Sequence, residues 1–452
     1  MLPRRFLCLL GSAVIAASHE QHVLNFAHPT PTAPGVLRRF TPQTSENLVA
    51  VLRIAHAHNL DIWNINANSA PHVDIYSPPS SPPLPTELLS IAHSVNNINV
   101  PESFDPRLRA ENWDLSSLAN STFHAEYHTQ AEIDLFIHDM AQLHPTSATV
   151  FKLGYSAEGR EMLGIKISAP STGTMQSPKL NFVIFGAQHA REWIATSTAL
   201  YIAHALLANK SESNSLASLL EIYDFHIVPS PNPDGYAYTW ESDRFWYKNR
   251  NIVDPIANCT GTDMARNWGA HWEPTADPPT PWLKKNETVD PCSPWYPGHR
   301  AFDAPEVNNL ANYIAAINGA NKNQTGIAAF LDLRSYGQML VRPYSYTCDR
   351  LPQDTDLIEA MLGTAYAGKS PYGTPFLTGT PCEVLYYASA GNVLDHMYET
   401  ERIQYAYTVY LRDTGTHGFA LPPAWIRPVG EETAVMVKYL SQFVARKRSV
   451  GL

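Results

Sequence analysis

The chain has 452 residues and a formal net charge of -10 at pH 7. This length allows one large domain and a smaller one, because single hydrophobic cores stop growing at roughly 250–300 residues. The negative charge argues against a nucleic-acid-binding surface, which needs clustered lysine and arginine side chains to contact phosphates. The basic cluster at residues 446–448 is interpreted as a solvated tail. We therefore expect no nucleic-acid partner.

The first 18 residues have the pattern of a cleavable secretory signal peptide. Arg4 and Arg5 precede an apolar stretch from Phe6 to Ala17, which ends in small residues. A membrane anchor is the alternative, but the stretch is shorter than the ~20 residues that a spanning helix needs, and no later stretch is long enough. We expect residues 1–18 to be removed and the protein to be secreted or extracellular, with the vacuole or the cell wall as further destinations.

The cysteines and the glycosylation motifs also indicate a protein of the secretory pathway. Cys8 lies in the signal peptide, and the even number of cysteines that remain predicts two disulfides in an oxidising compartment. These four cysteines are Cys259, Cys292, Cys348 and Cys382. Five N-glycosylation sequons are expected in surface loops, at Asn120, Asn209, Asn258, Asn286 and Asn323.

The region 19–119 is interpreted as a small strand-containing module followed by a Pro/Ser-rich linker. It contains "VAVLRIAHAHNLDIWNI" at residues 49–65 and the tract "SPPSSPPLP" at residues 77–85.

From residue 120 onward, strand-like and helix-like segments alternate. The strand-like segments are residues 148–156, 161–168, 179–185, 223–233, 327–336 and 405–413, and the predicted helices are residues 192–209, 307–320 and 431–447. Strands that alternate with longer helices indicate a mostly parallel sheet covered on both faces. The predicted fold class is therefore α/β, with a main domain over residues 120–448.

The motif with the clearest chemistry is "QHAREWI", at a strand-to-helix junction. His189 and Glu192 are three residues apart, so an imidazole and a carboxylate can point at one spot. Such a pair is a candidate half of a metal site, although on its own it is a weak signal.

Seven segments occur in an order that resembles the zinc carboxypeptidases of the A/B type. They are "GAQHAREWI", "PSPNPDGYAYTW", "RFWYKNR", "CTGTDMARNW", "PCSPWYPG", "FLDLRSYGQMLVRPYSY" and "YLRDTGTHGFALP". The resemblance covers residues 121–444 and is specific as an ordered set. It implies an α/β domain with a mixed eight-stranded sheet and helices on both faces. It also implies that residues 49–65 begin a propeptide-like module, shorter than usual between its first two strands.

The resemblance also implies the disulfide pairing. The conserved disulfide of the family falls on Cys259 and Cys292. Cys348 and Cys382 resemble the extra pair of a secreted fungal branch whose members are described as inactive and are implicated in cell-wall biogenesis.

Zinc is the cofactor of this family, held by the His and Glu of H-x-R-E and by a later His, with a fourth position open to water. His189 and Glu192 match the first two ligands, but Arg334 stands where the family has the later histidine. A guanidinium stays protonated and has no lone pair to donate, so Arg334 cannot ligate zinc.

The charge of Arg334 also argues against a weakened zinc site. A +1 group about 4 Å from a +2 ion, at an effective dielectric constant of ~20, gives a repulsion of roughly 8 kcal/mol. This offsets most of the ~10–16 kcal/mol typical of intact structural zinc sites. We expect no bound zinc, and we expect Arg334 to pair with Glu192 instead.

Six other histidines are candidates for the missing third ligand. His271 and His299 lie in loops that can approach the cleft, but neither lies on the strand that supplies the ligand in the family. All six are expected to be ordinary surface or hydrogen-bonded residues: His204, His226, His271, His299, His396 and His417.

Two further departures from the family affect catalysis. Tyr410 stands at the general-base position, and a phenol with a pKa near 10 is a poor base at neutral pH. Tyr247 replaces the oxyanion-stabilising arginine and brings no positive charge. No catalytic group of the family is therefore expected to be intact.

The substrate-binding residues are partly kept. Arg266 matches the arginine that clamps the C-terminal carboxylate of the substrate, although a structural ion pair is an equal alternative, and Arg191 of H-x-R-E remains. Either Tyr386 or Tyr387 matches the mobile tyrosine of the family, depending on a one-residue gap. The specificity residue falls near Val393 or Leu394, and an apolar residue there suits an apolar C-terminal side chain.

The sequence thus favours a secreted, catalytically inactive metallocarboxypeptidase-family protein that binds peptide or protein C-termini or serves in cell-wall organisation. The alternative is an active zinc metallocarboxypeptidase whose missing groups come from elsewhere in the chain. Hydrolysis by a new nucleophile has no support, since the sequence has no G-x-S-x-G elbow.

Overall fold

A computed structural model describes residues 34–66, 71–99, 113–170, 179–275, 288–319, 326–349, 354–385 and 387–449. The predicted signal peptide lies outside the described residues, as do Tyr386 and the sequons at Asn286 and Asn323. All of these described residues belong to one compact unit. Among the described residues, no helix combines the length and apolar composition that crossing a bilayer requires.

Residues 34–99 form an N-terminal module with a four-stranded antiparallel sheet in the order β2-β3-β1-β4. Its elements are β1 (Gly35–Phe40), α1 (Ser45–Ala57), β2 (Asp61–Asn66), β3 (His72–Ser77), α2 (Thr86–Leu89) and β4 (His93–Ile98). Thr44 caps α1 by accepting a hydrogen bond from the backbone N–H of Asn47. Helix α1 packs on the sheet through Leu48, Val51 and Leu52.

Ser77 ends β3, and the rest of the Pro/Ser tract, residues 78–85, is a loop within this module and not the linker that the sequence predicts. Strand β4 follows the tract and pairs with β1 along its whole length. The tract therefore joins two parts of one sheet.

The main sheet has eight strands in the order β13-β12-β14-β11-β7-β8-β6-β5. Its strands are β5 (Ala148–Tyr155), β6 (Glu161–Ile167), β7 (Leu180–Phe185), β8 (Tyr223–Val228), β11 (Ile327–Arg334), β12 (Met339–Val341), β13 (Leu377–Gly379) and β14 (Tyr405–Tyr410), while β9 (Ile252–Asp254) and β10 (Cys259–Thr260) form a separate hairpin. The four central strands β14, β11, β7 and β8 are parallel to one another. Strand β12 is antiparallel to β14, β6 is antiparallel to β8, and β5 is antiparallel to β6. The mixed, mostly parallel sheet predicted from the sequence is confirmed.

Helices cover both faces of this sheet. They are α3 (Gln130–Leu143), α4 (Trp193–Leu207), α5 (Pro233–Glu241), α6 (Pro305–Gly319), α7 (Thr355–Gly368), α8 (Pro381–Leu385), α9 (Val393–Asp395) and α10 (Ile426–Ser449). Alternate residues of β7 point to opposite cores: Phe182 and Ile184 pack with α4 and α10, whereas Val183 and Phe185 pack with α6. Burial on both faces explains the nearly unbroken apolar run of β7.

Both predicted disulfides are present, Cys259–Cys292 and Cys348–Cys382. The first joins the β9–β10 hairpin to the loop before α6, and the second joins the segment after β12 to α8. Asn120, Asn209 and Asn258, the described sequon asparagines, are all exposed.

Candidate functional site

The candidate site lies at the carboxyl edge of the eight-stranded sheet, where parallel strands end side by side. His189 and Glu192 lie in the turn between β7 and α4. Arg334 is the last residue of β11, and Tyr410 is the last residue of β14, directly opposite it in register. The fold thus brings together four side chains that are spread over more than 200 residues of the sequence.

The turn that carries His189 depends on Gly186. A Cβ atom at this position would lie 2.0 Å from the carbonyl oxygen of Pro229, so only glycine allows the two segments to pass. Glu192 then serves as the N-cap residue of α4, and its carbonyl accepts the first hydrogen bond of the helix, from Ala195.

Arg334 points into the pocket, and each of its three guanidinium nitrogens has a partner there. Its Nε donates to Glu192 Oε2 at 3.0 Å, and its Nη1 donates to Asp332 Oδ2 at 3.2 Å. Its Nη2 lies against the imidazole of His189. The Arg334 side chain is only 5% exposed, so the pairing with Glu192 that the sequence predicts is a buried ion pair.

His189 is held from its far side by Asp263. The imidazole Nε2 lies 2.8 Å from Asp263 Oδ1, and Nδ1 faces Arg334. Nδ1 also lies 3.1 Å from Glu192 Oε1. Because a carboxylate can only accept, the contact with Asp263 is a hydrogen bond donated by Nε2–H. A carboxylate behind a histidine in this way is the usual support of a metal-binding imidazole.

The charges in the pocket adjust one another. Burial alone would lower the pKa of Arg334, but Glu192 and Asp332 outweigh burial and hold it well above its usual value. For Asp263 the directions are reversed. Burial raises the pKa of this carboxyl, but the nearby His189, Arg266 and Arg334 lower it below its usual value. Arg334 is therefore a cation at neutral pH.

The residues present do not fit a zinc ion. Glu192 Oε1 and His189 Nδ1 are 3.1 Å apart, near the roughly 3.4 Å separation of two ligands on one tetrahedral zinc. The guanidinium of Arg334, however, contacts both of these side chains from the third-ligand position. Within the described parts of the chain, the one cluster of three metal-type donors is Cys259, Asp290 and Cys292, whose two cysteines form a disulfide.

Tyr410 and Tyr247 border the same pocket. Burial raises the pKa of both phenols, and nearby carboxylates raise that of Tyr247 further, so both stay protonated. The ring of Tyr247 lies over that of His189, with 3.7 Å between the centroids. Both residues can donate a hydrogen bond, but neither can act as a base at neutral pH.

Arg266 forms an ion pair with Asp263, with 3.2 Å between Nε and Oδ2. A structural ion pair is the alternative role that the sequence allows for this arginine. Among the described residues, its two Nη atoms make no hydrogen bond. The side chain also borders three adjoining cavities of about 940, 100 and 40 Å³. One edge of this guanidinium is therefore structural, and the other faces open space.

Arg191 is engaged by the N-terminal module. Its Nη1 donates to both carboxylate oxygens of Asp61, at 3.0 and 3.2 Å. Its guanidinium also stacks near the rings of Phe419 and Tyr247, at 4.3 and 4.7 Å from their centroids. The sequence does not predict this contact, because Asp61 lies 130 residues upstream in a separate sheet.

A second junction joins the N-terminal module to the cleft. The fully buried carboxylate of Asp74 accepts hydrogen bonds from Arg39 at 2.7 Å and from the hydroxyl of Tyr336 at 2.8 Å. Around it, aromatic side chains of both parts form one buried cluster, with Trp63 from β2 against Phe245 and Phe419. The module thus packs on the cleft side of the main sheet.

Both pairs of alternatives from the sequence remain predictions, and the structure describes three of the four residues. Tyr387 borders the small cavity beside Arg266, whereas Tyr386 lies outside the described residues. Leu394 borders the same cavity, whereas Val393 is buried in the core between the sheet and α6.

Each of the six other histidines has contacts of its own away from Glu192 and His189. His204 pairs with His124, His226 contacts Tyr313, and His271 pairs with Glu399. His299 contacts Tyr296, His396 lies against Trp268, and the backbone N–H of His417 donates to Asp413. None of them belongs to a cluster of metal-type donors within the described chain.

The sequence does not mark Asp263 and Asp332 as site residues, although a signal exists for each. Asp263 lies within "CTGTDMARNW" and Asp332 within "FLDLRSY", two of the segments that carry the resemblance. A buried cation needs carboxylate neighbours, and a candidate metal-binding histidine needs a hydrogen-bond acceptor behind it. Either rule would have directed attention to an aspartate in these segments.

Comparison of the sequence with known protein families identifies one family that matches the main domain. The sequence model of the zinc carboxypeptidases matches residues 133–436. The chain belongs to the zinc carboxypeptidase family. This zinc carboxypeptidase-family protein is 34% identical over 392 residues to a "Metallocarboxypeptidase A-like protein" of Trichophyton verrucosum, covering 84% of this chain and 86% of that one.

A second relative carries a different description. An "Inactive metallocarboxypeptidase ECM14" of Paracoccidioides brasiliensis is 30% identical over 452 residues, covering 92% of this chain and 73% of that protein. Among solved structures, thrombin activatable fibrinolysis inhibitor (TAFI) superposes with a TM-score of 0.75 at 27% identity, covering 92% of this chain and 99% of the other. The similarity therefore extends well beyond the residues 133–436 that match the family.

Proposed function

We propose that this zinc carboxypeptidase-family protein binds no zinc, catalyses no hydrolysis and acts by binding the C-termini of peptides or proteins. The observation that carries the loss of zinc is the guanidinium of Arg334, which contacts His189 and Glu192 where a third ligand would have to be. The protonated phenols of Tyr410 and Tyr247 support the loss of hydrolysis, since neither supplies a base or a positive charge.

The unbonded edge of Arg266 supports C-terminus binding. A guanidinium fork suits a carboxylate, which it can hold through two parallel hydrogen bonds. The cavity of about 940 Å³ reaches Arg266 from the side of the Cys259–Cys292 disulfide and runs beside residues 56–61 of the N-terminal module. A chain end can therefore approach Arg266 while the module is in place.

We further propose that residues 1–18 are a signal peptide, that residues 19–119 are a propeptide-like region and that residues 120–448 are the carboxypeptidase-like domain. The exposed sequons at Asn120, Asn209 and Asn258 support a glycosylated, secreted protein. The relative described as an inactive metallocarboxypeptidase supports the non-catalytic role. Residence in the vacuole or the cell wall, with a role in cell-wall organisation, is part of the same proposal.

A binding titration of the purified full chain tests the C-terminus-binding role. A peptide with a free C-terminal carboxylate should bind, and the same peptide with a C-terminal amide should bind at least about tenfold more weakly, because the charge-assisted contact is lost. Arg266→Ala should weaken binding of the acid but not of the amide. Arg266→Lys keeps a cation beside Asp263 and separates lost binding from lost folding.

Two results would overturn this function. Equal binding of the acid and the amide would remove the carboxylate clamp. Release of C-terminal residues from either peptide, abolished by a chelator, would establish the alternative of an active zinc metallocarboxypeptidase.

A further inference from the structure

The small cavity of about 40 Å³ lies next to Arg266, Arg334 and Tyr410, at the end of the open route to Arg266. None of the described residues of the N-terminal module borders it. If Arg266 holds the carboxylate of a chain end, this cavity is the space open to the side chain of the last residue.

The size of this cavity limits what it accepts. A volume of 40 Å³ has room for about three water molecules, whereas a cavity that takes up benzene has about 150 Å³. An aromatic or long aliphatic side chain would therefore have to push the walls apart. Overpacking of this kind is opposed by the close packing of Leu394 and Leu385 in the core behind them.

The lining of the cavity is rich in hydroxyl groups. Its hydroxyl-bearing side chains are Ser345, Ser389, Thr408, Tyr247, Tyr387 and Tyr410, and its other polar side chains are Asn392, His189, Asp263, Arg266 and Arg334. Burial raises the pKa of Tyr387 and of Tyr410, so both phenols remain neutral donors. An apolar side chain placed here would leave such groups without partners.

Ser345 gives the sharpest indication of a polar occupant. It is 0% exposed, and its Oγ is buried with no hydrogen-bond partner. Its backbone is fixed, because its N–H donates to Asp395 Oδ1 at 2.7 Å and its carbonyl accepts from Ser389 at 2.7 Å. Because the Oγ is itself buried, it can reach an occupant of the cavity only by rotating about χ1, while the backbone of Ser345 stays fixed at the cavity wall.

We propose that this cavity selects a small, hydroxyl-bearing C-terminal residue, serine above all, over leucine or phenylalanine. The proposal rests on the proposed C-terminus binding, because Arg266 must hold the terminal carboxylate for the side chain to reach Ser345. A serine side chain fits the volume and exchanges a hydrogen bond with a hydroxyl that is otherwise unpaired. This polar preference differs from the apolar preference that Leu394 suggests in the sequence.

Four peptides that differ only in their last residue, Ser, Ala, Leu or Phe, test the selection in a titration of the full chain. The serine peptide should bind about three- to tenfold more tightly than the alanine peptide, which is the value of one net hydrogen bond. The leucine and phenylalanine peptides should bind about tenfold more weakly than alanine, or worse, because they overfill the cavity.

Two variants separate the contributions of polarity and size. Ser345→Ala should weaken binding of the serine peptide about three- to tenfold and so abolish its preference over alanine. Ser345→Gly should increase the affinity for the leucine peptide by enlarging the cavity. A leucine or phenylalanine peptide that binds the unaltered chain as tightly as serine would overturn the selection but leave the C-terminus-binding function standing. Failure of all four peptides to bind would overturn both.

Discussion

The guanidinium of Arg334 lies against the carboxylate of Glu192, with Nε 3.0 Å from Oε2 and side-chain exposures of 5% and 3%. Glu192 would be a buried, uncompensated anion without a cation at this place. Arg334 thus replaces the charge of a metal ion without its chemistry, because a guanidinium offers no coordination position for water. The following predictions test this substitution and the contacts around it.

Replacing Arg334 by alanine should destabilise the fold strongly. The change leaves Glu192 and Asp332 buried without their cation, and breaking a buried pair in this way costs about 3–5 kcal/mol. Chemical denaturation of the purified variant measures the loss. Arg300→Ala is the matched control, since the Arg300 side chain is 81% exposed and its loss should cost about 1 kcal/mol or less.

A double variant that removes both charges of the buried pair should lose less stability than Arg334→Ala. Arg334→Met combined with Glu192→Gln removes both charges and keeps much of the packing, so the double variant should be more stable than Arg334→Ala alone. An Arg334→Ala variant that denatures like the unaltered chain would show that the buried pair is not needed for stability.

Replacing Arg334 by histidine should create a zinc site. His189 and Glu192 already present donor atoms 3.1 Å apart, and Asp263 holds the His189 imidazole with Nδ1 facing the shared point. Elemental analysis after dialysis against zinc should find about one zinc per chain in the Arg334→His variant. Hydrolysis should still be absent, because Tyr410 and Tyr247 remain. A variant that takes up no zinc would mean that the retained donors are not in a metal-binding arrangement.

Removing the hydroxyl of Tyr336 should loosen the junction between the N-terminal module and the cleft. Tyr336→Phe takes a hydrogen bond from the fully buried Asp74, which should cost about 1–3 kcal/mol. Tyr366→Phe is the control, since Tyr366 is 80% exposed. Equal melting temperatures for the two variants would argue that the module contributes nothing through this contact.

Acid should destabilise the protein through the buried histidine pair His124 and His204. Their ring nitrogens are 3.0 Å apart, and burial lowers the pKa of both, that of His204 to about 4. The folded state keeps these rings neutral while the unfolded chain takes up protons below pH ~6.5, so stability falls as the pH drops from about 6.5 towards 4. The expected slope is up to about 1.4 kcal/mol per pH unit for each ring.

Denaturation curves measured across this pH range check the slope. Replacing both histidines by glutamine should flatten it, whereas His138→Gln, at an exposed position, should not. A slope that survives the double replacement would assign the acid sensitivity to other groups.

Much of the sheet could be predicted because its central strands carry a strong local signal. Strands β7 and β11 are buried on both faces, so each appears in the sequence as an apolar run. Strands β12 and β13 have three residues each, too few for any periodicity to be visible. Helix α7 was missed although its pattern was available, with Leu357, Ala360, Met361 and Thr364 buried at helical spacing behind an Asp354 cap.

The position of Arg334 could be predicted from the sequence, but its full set of partners could not. Its place followed from one substituted residue in an ordered set of motifs, and the pairing with Glu192 followed from the charge that a buried carboxylate needs. The contacts of Arg191 with Asp61 and of Tyr336 with Asp74 depend on how the N-terminal module packs against the main sheet. Contacts across such long sequence separations leave no local pattern in the residues themselves.

The most direct test of the central claim is the zinc content of the purified, unaltered chain after equilibration with zinc and removal of loosely bound ions. With Arg334 in contact with both His189 and Glu192, the chain should hold far less than one zinc, and a chelator should leave its melting temperature unchanged. One zinc per chain, whose removal by a chelator lowers the melting temperature, would contradict the account.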